Sequence, residues 1–126
     1  MAAPIWAPDG KRVLYASTRD SYAGVYRRNW DGSGEEELLF RYTPGAGIIL
    51  TDSSPDGKFL TFFTGVLVMV PLTGTDPLAR KAIDWLRDEF DDMGGRFSPD
   101  GHYIAYNSNP DDPMALDVFV RPFDGN

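Results

Sequence analysis

Three copies of one turn constrain what this chain can become. Pro8-Asp9-Gly10, Pro55-Asp56-Gly57 and Pro99-Asp100-Gly101 place their prolines 47 and 44 residues apart. Proline holds φ near the value a type I turn needs at its second position, and aspartate bonds nearby backbone. Glycine takes the left-handed conformation that closes a short hairpin with a bulge. Each copy is therefore a tight hairpin corner, and a fixed period of this size marks a propeller or solenoid rather than a domain around a single core.

An apolar run rich in aromatic and β-branched residues follows every corner: Val13-Leu14-Tyr15-Ala16, Phe59-Leu60-Thr61-Phe62-Phe63 and Tyr103-Ile104-Ala105-Tyr106. Such runs read as strands. A second run comes next each time, Gly24 to Arg27, Val66 to Val70 and Asp117 to Arg121, and exits through Asp31-Gly32, Thr73-Gly74 or Asp124-Gly125. The repeating unit is thus a four-stranded antiparallel meander. The expected blades span 1–44, 45–90 and 91–126, the third lacking its outer strand. Thr18 to Tyr22 is expected to be a loop within blade one, and Thr64-Gly65 a very tight hairpin within blade two. Residues 78–90 carry apolar positions at helical spacing after Pro77. The repeat needs an outer strand there, and repeat position is expected to override propensity with a short strand over 81–86.

The corners and their neighbours, Trp6-Ala7-Pro8-Asp9-Gly10-Lys11 and Phe97-Ser98-Pro99-Asp100-Gly101, resemble the WD40-like (PD40) repeats of the TolB-type β-propeller family. Blades of that family typically read aromatic-Ser-Pro-Asp-Gly-Lys, and Asp52-Ser53-Ser54-Pro55-Asp56-Gly57-Lys58 departs from this by lacking the aromatic residue. More narrowly, Gly94 to Gly101 followed by Asp117 to Phe123 is similar to blades in the C-terminal propellers of some bacterial serine/threonine kinases. The resemblance covers nearly the whole chain. It implies an all-β propeller acting as a sensing or interaction module without an active site, and, if TolB-like, an extracytoplasmic setting. One superfold hosts many activities, so it speaks to fold far more than to function.

Three repeats in 126 residues are few for this fold, because propellers typically close with four to eight blades. Three forms are therefore open: a fragment of a longer protein, a half-ring that pairs with a second copy to give six blades, or an open three-blade unit. The open unit is the least expected, since it leaves the two ends of the blade stack uncovered. Six blades are common among TolB-type propellers, and symmetric pairing is the commonest oligomer type.

A net charge of −7 and a pI near 4.5 argue against a nucleic-acid partner, which calls for a basic footprint. A basic peptide or a cation fits the sign. The chain has no cysteine, which removes disulfides, zinc thiolates and thiol nucleophiles. Met1-Ala2-Ala3-Pro4 leads straight into a repeat, so no signal peptide is expected within this chain. The most apolar stretch, Phe59 to Leu72, is interrupted by Thr61, Thr64-Gly65 and Pro71. It is too short for a membrane span and reads as two buried strands.

Catalytic motifs are lacking. His102, the single histidine, sits just after a corner where Lys11 and Lys58 stand in the other repeats, so it reads as a surface hairpin residue. No Gly-x-Ser-x-Gly elbow and no calcium loop occurs, and Gly32-Ser33-Gly34 lacks the lysine and helix of a phosphate-binding loop. No catalytic residue, cofactor or metal site is expected.

Topology gives the best site signal. Alternate turns of a meander share one end, so the corners and exit turns lie on one face and the remaining loops on the other. That second face collects Asp88, Glu89, Asp91, Asp92, Asp111 and Asp112. The plain reading of these carboxylates is a solvated loop surface; the sharper one is a receptor for a basic peptide or cation. Asp52, on a first strand, either faces the channel or caps a local turn. Two functions are carried forward: a non-catalytic interaction scaffold, and the propeller portion of a larger kinase or prolyl-oligopeptidase-like hydrolase whose catalytic domain lies elsewhere.

Overall fold

Alternating apolar residues on successive strands build three antiparallel meanders, each sheet burying a face against the next. The computed structural model describes residues 4–19, 22–42, 47–64, 67–86, 93–108 and 117–123. In blade one, β1 (Ile5–Trp6), β2 (Arg12–Arg19), β3 (Tyr22–Asn29) and β4 (Glu37–Tyr42) pair in sequence order. Blade two repeats this with β5 (Ile49–Ser53), β6 (Phe59–Phe63), β7 (Leu67–Pro71) and β8 (Ile83–Leu86). Blade three has β9 (Met93–Phe97), β10 (Tyr103–Ser108) and β11 (Asp117–Pro122). The ring is not closed, so blades one and three each present an outer face.

One local expectation needs adjustment, and the short outer strand expected over 81–86 forms. The loop foreseen over Thr18 to Tyr22 is shorter, because Thr18 pairs with Ala23 and Arg19 with Tyr22, leaving only 20–21 as the connection. The stretch with helical spacing forms a single 3-10 turn at Pro77–Ala79, and a strand follows at Ile83–Leu86. The Asp76 carboxylate accepts the Leu78 N–H at 2.9 Å and starts that turn. Arg80 is then extended, at φ −75° and ψ 139°, so the helix stops after one turn. Pairing of β8 with β7 supersedes the local propensity.

Side chains alternate across each strand, so every sheet has a face toward each neighbour. Leu14, Ala16, Val25 and Phe40 of blade one meet Leu60, Phe62, Val68 and Val70 of blade two. On the opposite face of blade two, Leu67 and Met69 meet Ile104 and Phe123 of blade three, joined by Phe59, Trp85 and Phe97. Blade two is therefore covered on both sides, and β7 is buried from Leu67 to Val70. Double coverage explains its unbroken apolar run, as in any sheet packed on both faces. Each such side chain contributes about 1.5–3 kcal/mol on full burial. The first strands β1, β5 and β9 are neighbours along one side of the stack. At Gly95 of β9 an added Cβ would stand 2.8 Å from a Leu67 methyl, and its φ is +104°, so the close approach of blades two and three requires glycine there. Among the described residues no helix is long and apolar enough to cross a membrane.

Candidate interaction face at the Pro-Asp-Gly corners

All three corners close by the same bonds. The N–H of Ala7, Ser54 or Ser98 donates to the carbonyl five residues on, at 2.9, 2.9 and 2.8 Å. The glycine N–H returns to the carbonyl of the same residue at 3.0, 2.9 and 2.9 Å. Gly10, Gly57 and Gly101 sit at φ 68°, 75° and 78°, the left-handed region that other residues rarely enter. The corner aspartates accept the N–H of Lys11, Lys58 and His102 at 2.8, 2.9 and 3.0 Å.

Serine adds a second clasp in two of them. The Ser54 hydroxyl donates to Asp56 Oδ1 at 2.6 Å and accepts the Phe59 N–H at 2.9 Å. Ser98 does the same between Asp100 and the Tyr103 N–H, at 2.6 and 3.0 Å. Blade one has Ala7 there, and the Arg12 N–H turns instead to Asp9 Oδ1 at 3.2 Å, with Arg12 Nε on Oδ2 at 2.9 Å. These bonds favour the charged carboxylate and hold it below the usual range, chiefly through Ser54 for Asp56, Ser98 for Asp100 and the Lys11 amide for Asp9.

Two clasps between blades fix the spacing of the corners. Asp52 bonds its neighbour Ser53 N–H through Oδ1 at 2.9 Å, while Oδ2 accepts the Phe97 N–H of blade three at 2.8 Å. It thus caps a local amide, as one sequence reading held, and also ties two first strands together. Toward the outer rim, the Arg80 guanidinium donates to the carbonyl of Leu39 in β4 at 2.9 Å. It also donates to Thr73 at 3.1 Å and Gly74 at 2.9 Å. Arg80 went unnoticed in the sequence because its partners are backbone oxygens, one of them 41 residues away.

Held this way, neighbouring corners flank open clefts. Between blades one and two lies a cleft of about 430 Å³, with Arg12 and Arg27 among its walls. Both cations are spent on carboxylates, Arg12 on Asp9 and Arg27 on Glu37. Between blades two and three lies a larger one of about 650 Å³. Phe59 and Phe123 line it, 5.0 Å apart edge to face, with the Ser54, Lys58 and His102 side chains around them. Among the described residues neither Lys58 nor His102 makes a side-chain hydrogen bond or ion pair. Pro55 and Asp56 wall both clefts, so one corner serves two sites.

His102 lies on the corner, exposed, as its sequence position implied. Asp88, Glu89, Asp91, Asp92, Asp111 and Asp112, the acidic set expected on the opposite face, lie outside the described residues.

No protein-family model and no curated protein sequence matches the chain. Solved structures do. TolB from Acinetobacter baumannii superposes with a TM-score of 0.73 at 21% identity, over 98% of this chain and 30% of its own length. A protein assigned as TolB from Agrobacterium tumefaciens gives 0.68 at 22% identity, over 99% of this chain and 47% of its own. The fold is therefore that of a TolB-like propeller segment, and the chain spans less than half the length of either structure.

Proposed function

We propose that this chain is a non-catalytic interaction scaffold that receives a protein or peptide partner on its loop faces. One observation carries the reading: rigid, identically clasped corners flank a cleft with an aromatic floor and two polar side chains, Lys58 and His102, that make no side-chain hydrogen bond or ion pair among the described residues. Such a surface combines a preformed apolar seat with polar groups free to orient a partner. Capture of partners from a displayed random-peptide library tests it. The captured peptides are expected to lose binding to a Lys58→Glu/His102→Glu chain; peptides that bind wild type and variant alike would place recognition away from the corners.

The acidic loops are proposed as a second seat, for a basic peptide, on the strength of the net charge of −7. An arginine-rich peptide is expected to bind, with affinity falling as salt rises. Equal binding by an Asp91/Asp92/Asp111/Asp112 to Asn chain removes this seat. A second reading places the chain within a larger enzyme as its propeller portion. A kinase or hydrolase domain in the flanking reading frame would establish it.

A further inference from the structure

The two corner clefts are copies of one another by register, and they differ where a ligand would touch them. Leu72 and Phe123 donate their N–H groups to the carbonyls of Lys58 and His102, both at 2.8 Å, which makes them one position in successive blades. Arg12 and Phe59 are likewise equivalent, since each stands at the same offset from its corner proline. The cleft between blades one and two therefore has Arg12 and Leu72 where the cleft between blades two and three has Phe59 and Phe123. Arg12 is held by Asp9, whereas Phe59 and Phe123 present two rings edge to face. The aromatic seat is thus confined to the second junction.

Polar groups mark the same junction. Lys11, Lys58 and His102 each follow a corner glycine, so they form a row across the three blades. Among the described residues none of their side chains has a hydrogen bond or ion pair. Asp56 and Asp100, the acids of the same corners, each have a serine hydroxyl at 2.6 Å and a backbone N–H, at 2.9 and 3.0 Å. The donors left over at this junction are those of Lys58 and His102, and an anion complements them. The blades set their spacing. Gly101 of the third corner stands against the Pro55 ring of the second, 3.7 Å from where a Cβ would be, and packed sheets lie about 10 Å apart.

We propose that the junction of blades two and three receives an acidic peptide lying across the corners in the polyproline II conformation, with carboxylates three residues apart. Three residues of that helix advance about 9 Å and return a side chain to the same face, so carboxylates at i and i+3 meet Lys58 and His102 in turn. A β-strand would turn the second carboxylate to the opposite face. Beside the carboxylates the polyproline helix has another face, and an apolar side chain there covers Phe59 and Phe123. The proposal rests on the corner clefts being the partner's seat, and it names that partner's chemistry.

Fluorescence anisotropy with labelled proline-rich peptides tests it. Each probe carries one phenylalanine between two glutamates set two, three or four residues apart, and a control carries glutamines three apart. The three-residue probe is expected to bind tightest and to weaken as salt rises. It should lose about five-fold for each glutamate replaced, the upper range for an exposed ion pair. Lys58→Gln and His102→Gln alter exposed side chains, and circular dichroism is expected to show both folded. In double-mutant cycles each should couple to a different glutamate. Equal binding of the glutamine control, equal binding at all three spacings, or no coupling at either residue overturns the proposal. Neutral library peptides that lose binding on Lys58→Glu/His102→Glu overturn it too, while leaving the corner seat standing. Failure of the seat itself reads differently, because then neither a probe nor a captured peptide responds to that double change.

Discussion

Ser54 and Ser98 each satisfy a backbone N–H and a carboxylate with one hydroxyl, whereas Ala7 offers neither bond. Ser98→Ala is therefore expected to cost about 1 kcal/mol in urea unfolding, and Ala7→Ser to gain a similar amount, since a net hydrogen bond contributes about 0.5–1.5 kcal/mol. A second residue-scale feature sets the acid response. Glu36 accepts both guanidinium arms of Arg19, at 2.5 and 2.9 Å, and the Tyr15 hydroxyl. Arg19 first and Tyr15 second lower its pKa from 4.5 to about 2. Because the folded-state value is depressed, this contribution is present in full above pH 4.5 and is lost as pH falls toward about 2. Glu36→Gln is expected to flatten that part of the stability profile, leaving the residual slope of the corner aspartates. The corners were legible because their bonds span five residues or fewer. The Asp52 to Phe97 bond was not, since it joins a side chain to an amide 45 positions on.

At the level of elements, β8 shows where sequence pattern and repeat disagree and which prevails. Among the described residues the helical spacing after Pro77 produced only one 3-10 turn, because β7 offers a row of unpaired backbone groups that a helix would leave unsatisfied. The strand was legible only through the period. Its approach is anchored by Arg80, whose planar fork reaches three carbonyls on two blades. Arg80→Ala is expected to lower stability by about 2 kcal/mol, from the range for bonds to charged groups. Lys should recover little, since a point charge cannot span that fork. Differential scanning calorimetry of the three chains reads this directly.

For the molecule as a whole, the turn period foretold the stack of meanders and the clasped corner face. It did not foretell the clefts, which arise where corners from separate repeats approach and which depend on Asp52, Arg80 and Gly95 for their spacing. The acidic loops were read from composition and topology alone. One further property follows from β11, whose six residues are exposed throughout and which pairs with β10 alone among the described strands. Protection of amide protons should be graded along the stack, with β6 and β7 slowest to exchange deuterium and β11 fastest. Mass spectrometry of exchanged peptides that found β11 as slow as β7 would contradict this. On the expected grading the stack loosens from blade three, which is shed while the first two blades remain locked together.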